Sequence, residues 1–198
     1  MTRNLFFTVI AVGWVGACSC VAQENLFREA KKICLDSGGS LDQINASAKA
    51  DGWTGKFSND VLDMLSEMDM HPTGDFFVKD FDKKTITLVT RQKTNKTSSG
   101  QMAMTGCELL AEASDLLPAT NSAKKYFRVP PLKDTSEDVE WVYQMDGSRM
   151  VSLPDNSPET LVKYLASGPV YVFGIVSADG NSGIVYRKLN LTGGGKEN

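Results

Sequence analysis

The stretch Asp138-Val139-Glu140-Trp141-Val142-Tyr143-Gln144-Met145 alternates its side chains with a period of two, the pattern of a half-buried β-strand. Val139, Trp141, Tyr143 and Met145 share one face, and Trp141 and Tyr143 are expected in the core. The same period runs through Phe76 and Val78, and through Ile86 and Leu88 set against Thr85, Thr87 and Val89. A further strand is read at Gln101–Leu109, after a polar run, Thr94–Gly100, that is expected to be a loop. Pro169–Val176 is apolar on both faces, which predicts a central strand. Ile184–Leu189 is the last strand, entered through a hairpin loop at Ser177–Gly183.

Upstream the period is that of a helix. Leu26, Phe27, Ala30, Ile33 and Cys34 form one stripe, ended by Ser37-Gly38-Gly39. Ser40 to Gln43 reads as a capping box for a second helix through Ala50, with Leu41, Ile44 and Ala48 on its apolar side. Ser58 can cap a third helix, in which Val61, Leu65 and Met68 recur at helical spacing. Glu159–Ala166 is a short helix begun by Ser157-Pro158, whereas Leu116–Phe127 fits no single pattern. Helices before strands predict an α+β fold: N-terminal helices packed on one face or end of a largely antiparallel sheet, with one short helix before the last two strands.

Arg3, the apolar run Leu5–Val15 and the small residues Gly16, Ala17 and Ser19 read as an export signal. The run is too short to span a bilayer, which takes about 20 apolar residues. Two processing sites fit. Cleavage after Ala22 would expose Gln23, whereas Val15-Gly16-Ala17-Cys18 resembles a bacterial lipobox, in which Cys18 is lipidated and becomes the only membrane attachment. Cysteine parity leans toward the first, because removing Cys18 and Cys20 leaves the even pair Cys34 and Cys107. The expected organisation is a signal peptide over 1–22, one α+β domain over 23–191 and a disordered tail over 192–198.

The whole chain carries 21 Lys and Arg against 24 Asp and Glu, a net charge of −3, and loses only Arg3 with the signal. A mildly acidic chain has no general attraction to phosphate backbones, so nucleic acid is excluded as a partner. The pairs Lys83-Lys84 and Lys124-Lys125 read as solvated loop ends.

Cys34 lies on the stripe of the first helix, and Cys107 shares a strand face with Ala103, Thr105 and Leu109. Both can point into the seam between helix and sheet, and export favours a disulfide between them over two buried, inert thiols. Neither belongs to a Cys-x-x-Cys motif or has a neighbouring cation in sequence to activate it.

No motif assigns a catalytic, metal or cofactor residue. His71 is the only histidine, and it follows Met64, Met68 and Met70. That grouping suits soft copper, but Met68 belongs to the helix stripe and a cation suits a helix C-terminus. Ser122-Ala-Lys-Lys125 matches an acylation motif without its companion elements; Lys93-Thr94-Asn95 lacks the glycine that would supply one. Asp179-Gly-Asn-Ser-Gly183 opens like a calcium loop but has Asn190 where the terminal glutamate belongs, so a hairpin turn explains it. Gly193-Gly194-Gly195-Lys196 only imitates a phosphate loop. Asp63 and Glu67 stand one helical turn apart and read as solvated carboxylates. Asn45, Asn95 and Asn190 open glycosylation triplets that matter only in a pathway that uses them.

The signal, Phe27-x6-Cys34-Leu35-Asp36, Gly52-Trp53 and Gly106-Cys107 together resemble a group of small exported proteins of Gram-negative bacteria with no established activity. The resemblance implies an envelope protein with its two cysteines paired, and carries over no functional residue. The expectation is an exported cell-envelope protein, periplasmic or tethered to the outer membrane as a lipoprotein. It would be a non-enzymatic binding or structural accessory domain for an unidentified envelope protein or ligand. The alternative is a small periplasmic hydrolase or transferase with an unrecognised carboxylate or serine site.

Overall fold

Eight strands form one antiparallel sheet in the computed structural model, which describes residues 26–55, 75–81, 84–97, 100–112, 116–178 and 181–192. They are β1 (Phe76–Phe81), β2 (Lys84–Thr97), β3 (Gly100–Glu112), β4 (Lys133–Asp134), β5 (Asp138–Asp146), β6 (Arg149–Ser152), β7 (Val170–Ala178) and β8 (Asn181–Thr192). Their order is β1-β2-β3-β8-β7-β5-β4, with β6 beside β4 along the outer edge of β5. The last strand therefore joins the two halves of the sheet, paired with β3 from Gln101↔Thr192 to Glu112↔Asn181 and with β7 from Val170↔Leu189 to Ala178↔Asn181. Thr54 bridges to Val78 and covers part of the outer edge of β1.

Among the described residues, four helical segments accompany the sheet. Residues 26–35 form α1, whose last turn, Lys31–Leu35, is π-helical; the others are α2 (Leu41–Ala50), α3 (Leu117–Phe127) and α4 (Pro158–Leu165). The widened turn of α1 closes with the Asp36 amide donating to the Lys31 carbonyl, and the two side chains pair at 2.8 Å. Gly38 and Gly39, at φ 59° and 74°, then reverse the chain through the left-handed region that glycine enters freely. Ser40 precedes α2 as expected but makes no side-chain cap, so the capping box is corrected to a plain extended entry. Ser157 does cap α4, accepting from the Thr160 amide, with Pro158 opening the helix.

The α+β class and the antiparallel sheet agree with the expectation, but the helix placement does not. The third helix expected after Ser58 lies outside the described residues. The segment that fits no single pattern, Leu116–Phe127, holds α3 from Leu117 onward, in the middle of the chain between β3 and β4. Helices also occupy both faces of the sheet. Residues of α1, α2 and α3 share a core with Leu88, Cys107, Leu109, Trp141, Phe173 and Tyr186. Leu165 of α4 packs with Val142, Val170 and Leu189 in a second, smaller core. Burial on both faces explains β5: Trp141 and Tyr143 are buried as read, but so is Val142, beneath α4. Met145 is exposed, because β5 there runs out into its hairpin with β6.

The polar run at Thr94 is strand, not loop, since β2 pairs with β3 as far as Thr97↔Gly100. Pro169–Val176 yields the interior strand β7, but the loop read over Ser177–Gly183 is too long, because pairing of β7 with β8 continues through Ser177↔Ser182 to Ala178↔Asn181. The final strand reaches Thr192, the first residue of the tail read over 192–198; the rest of that tail lies outside the described residues. At Gly106 a Cβ would lie 2.1 Å from the Tyr186 carbonyl oxygen, so the close approach of β3 and β8 admits no side chain there.

Candidate functional site

Cys34 and Cys107 lie at disulfide distance, Cα to Cα 6.1 Å, between the last turn of α1 and the centre of β3. Both are fully buried, so the pair ties helix to sheet and offers no accessible thiol. Cys18, His71, Met64, Met68, Met70, Asp63, Glu67 and Gly193–Lys196 lie outside the described residues. Ser122 and Lys125 stand one turn apart on α3 with no hydrogen bond between them among the described residues. Asn45 is committed to structure, its Nδ2 donating to Asp75 at 2.6 Å. Among the described residues no group of three or more His, Cys, Asp or Glu is placed to hold a metal. No helix of the described residues is long and apolar enough to cross a membrane.

Two ionic clusters brace the sheet. On the face bearing α4, Arg91, Gly106 and Arg187 form one cross-strand row. The buried Glu108 forms an ion pair with Arg91 at 3.1 Å and accepts from Arg187 at 3.2 Å. One carboxylate held by two guanidiniums is the arrangement that lets a buried charge persist. The second cluster joins α1, α2 and β1. Asp51 pairs with Lys32 and, at 2.7 Å, with Lys79, whose ammonium lies 3.6 Å from Glu29 and 4.8 Å from the Phe81 ring centroid. Burial pushes the Glu29 carboxyl up from its ordinary value, and a hydrogen bond with Asp51 pushes it further. Burial acts on Asp51 in the same direction, but hydrogen bonds from Lys32, Lys79 and Glu29 outweigh it and hold that carboxyl well below the ordinary range.

The signs give a pH dependence. The contribution of Glu29 is complete below its ordinary value of 4.5 and is lost as pH rises through its raised value. The contribution of Asp51 is present above 3.8 and fades as pH falls below it. Glu29→Gln, which cannot ionise, should gain on the parent chain as pH climbs above 4.5, read as urea midpoints across a pH series. A stability difference that stays constant with pH would contradict the assignment.

A cleft of about 570 Å³ opens where the end of α3 meets the turn between β5 and β6. Lys125, Arg128 and Arg149 line it, together with Tyr126, Val129 and Met150. The segment 127–130, which leaves α3 along one side of it, is firmly held. Phe127 is buried against Trp141 and Phe173, the Trp141 indole donates to the Val129 carbonyl at 3.1 Å, and the Ser152 hydroxyl donates to the Pro130 carbonyl. Arg128 ends α3 at φ 53°, the only residue other than glycine in the left-handed region among the described residues. An arginine there costs about 1 kcal/mol or more where glycine would cost little. None of the three cations has a carboxylate partner among the described residues, and all three are exposed.

The chain matches no family model, no curated protein and no solved structure. The cleft must therefore be judged by its own chemistry. A second cavity, about 320 Å³, contains Lys124, but that cation is paired with Asp134 at 2.7 Å and is joined by Glu137 and Asp138. A third, about 400 Å³, is lined by Met145, Val151 and Tyr171 beside Gln144, whose amide is spent on the Tyr164 and Gly168 carbonyls. The α3 cleft alone among these three gathers unneutralised charge.

Sequence reading missed it because its cations are far apart in the chain. Lys125 reads as a loop end until α3 is recognised, and Arg149 is brought opposite only by the β5–β6 hairpin.

Proposed function

We propose that this is an exported cell-envelope protein, with a signal over 1–22 and a single domain over 23–191, that acts as a non-enzymatic binding module. Its ligand or partner sits in the cleft between α3 and the β5–β6 turn. The observation that carries the reading is the set of three cations left without carboxylates around one open cleft, on a chain whose net charge is −3. Such a site attracts and orients an anionic group, and no side chain lining it is a nucleophile with a base beside it.

The test is amide shift mapping of the protein against an extract of envelope lipids and small molecules. Shifts should concentrate at residues 125–129 and 148–150, and the bound compound should be recovered with its mass unchanged. Shifts that avoid the cleft would overturn the reading. So would steady consumption of a component of the extract. That result would favour the hydrolase or transferase alternative, whose one support is the Glu29 and Asp51 carboxyl pair with opposite pKa shifts.

A further inference from the structure

We propose that the group held by Lys125, Arg128 and Arg149 is a phosphate, carried by a ligand with an apolar body. This rests on the reading of the cleft as a binding site and narrows it to a ligand chemistry.

Charge count is the first argument. Two guanidiniums and one ammonium, none in an ion pair among the described residues and none sharing the cleft lining with a carboxylate, leave three positive charges, which a single carboxylate would under-neutralise and a phosphate dianion meets more nearly. Donor chemistry is the second. Guanidiniums recognise phosphate oxygens through paired N–H donors, and the ammonium adds a point charge. The walls supply the third argument, since Tyr126, Val129 and Met150 offer ring, aliphatic and thioether surface beside the cations. Half-buried Tyr126 carries the Lys31 ammonium 5.5 Å from its ring centroid, a cation that Asp36 already neutralises, so the charge available to a ligand is that of Lys125, Arg128 and Arg149. The left-handed backbone of Arg128 is the fourth. A position that favours glycine carries instead an exposed arginine that makes no ion pair among the described residues, so its side chain is retained at the expense of backbone comfort.

That combination has a distinctive consequence. Arg128→Gly should relieve the backbone and leave melting temperature unchanged or higher, while weakening phosphate binding about tenfold or more. Arg149→Gln, at an exposed hairpin position, should weaken it similarly without unfolding the protein. Lys124→Gln removes one neighbouring charge that does not line this cleft and should leave binding within about twofold.

The experiment titrates the protein with inorganic phosphate, followed by amide shifts at 125–129 and 148–150. In parallel it measures sedimentation with phosphatidylglycerol vesicles and with phosphatidylcholine vesicles. Saturable phosphate shifts that vanish in Arg128→Gly and Arg149→Gln support a free or small-molecule phosphate. Selective binding to the phosphatidylglycerol vesicles, lost in the same variants, supports a lipid headgroup as its source. Absence of both, or binding that survives in both variants, overturns the inference. If the envelope extract still shifts the cleft in that case, the binding module stands and only the phosphate falls.

Discussion

Reduction of the oxidised protein is expected to lower its unfolding free energy by about 4 kcal/mol, the chain-entropy value for a crosslink closing a loop of 73 residues. This is a large part of the 5–15 kcal/mol that holds a typical domain together. Reduction isolates the crosslink, because the same two side chains remain in place. The effect is expected to be large because the pair joins elements with little else in common: Cys34 ends α1, and Cys107 sits in the sheet interior between Thr90 and Tyr186. Without the bond, α1 is kept on the sheet by packing of Leu26, Phe27, Ala30 and Ile33 and by the Glu29–Lys79 contact to β1. Urea unfolding with and without a phosphine reductant measures it. Coincident curves would mean that the two thiols do not bond, and that the alternative of buried, inert cysteines is right.

Phe127→Ala is expected to destabilise by about 3–5 kcal/mol, the range for removing a buried aromatic ring. Phe127 is 2% exposed and contacts three rings of the core, with centroids 4.9 Å from Trp141, 5.5 Å from Tyr143 and 4.8 Å from Phe173. Leu117→Ala, at the other end of the same helix and 60% exposed, should change stability by less than about 0.5 kcal/mol. The contrast separates packing from helix propensity, since alanine is the better helix former in both variants. Equal losses, measured as urea midpoints at constant m-value, would mean that α3 does not seat on the sheet through Phe127. The same variant should also loosen the cleft, because Phe127 anchors the end of α3, from which Arg128 and Val129 follow.

The strands were legible because one signal, alternation, reports both their existence and their facing. That signal placed Trp141 and Tyr143 correctly in the core. It failed where burial is two-sided, as at Val142, and where pairing alone sustains a strand of polar residues, as at Thr94–Lys96 in β2. The helix α3 was illegible for a different reason. Its buried stripe is Ala119, Thr120, Ala123 and Phe127, three small residues and one large, whereas its most apolar early residue, Leu117, faces outward. Small side chains let a helix approach a sheet closely, and they leave almost no hydropathy pattern. The cysteine pair was legible because Cys34 and Cys107 each continued an apolar face. The cleft was not, because no local pattern brings Lys125 and Arg128 opposite Arg149. The sheet order, which puts the β5–β6 hairpin beside the end of α3, is a property of the whole fold.

The claim on which the rest depends is that the chain is exported and works with Cys34 and Cys107 joined. Intact mass of the protein recovered from its native envelope, before and after reduction, tests both parts in one spectrum. The expected species begins at Gln23, or at a lipid-bearing Cys18, and gains the mass of two hydrogens on reduction. A species that retains Met1 and the whole leader, unchanged by reduction, would contradict export and the crosslink together, and would remove the envelope as the place to look for the ligand of the cleft.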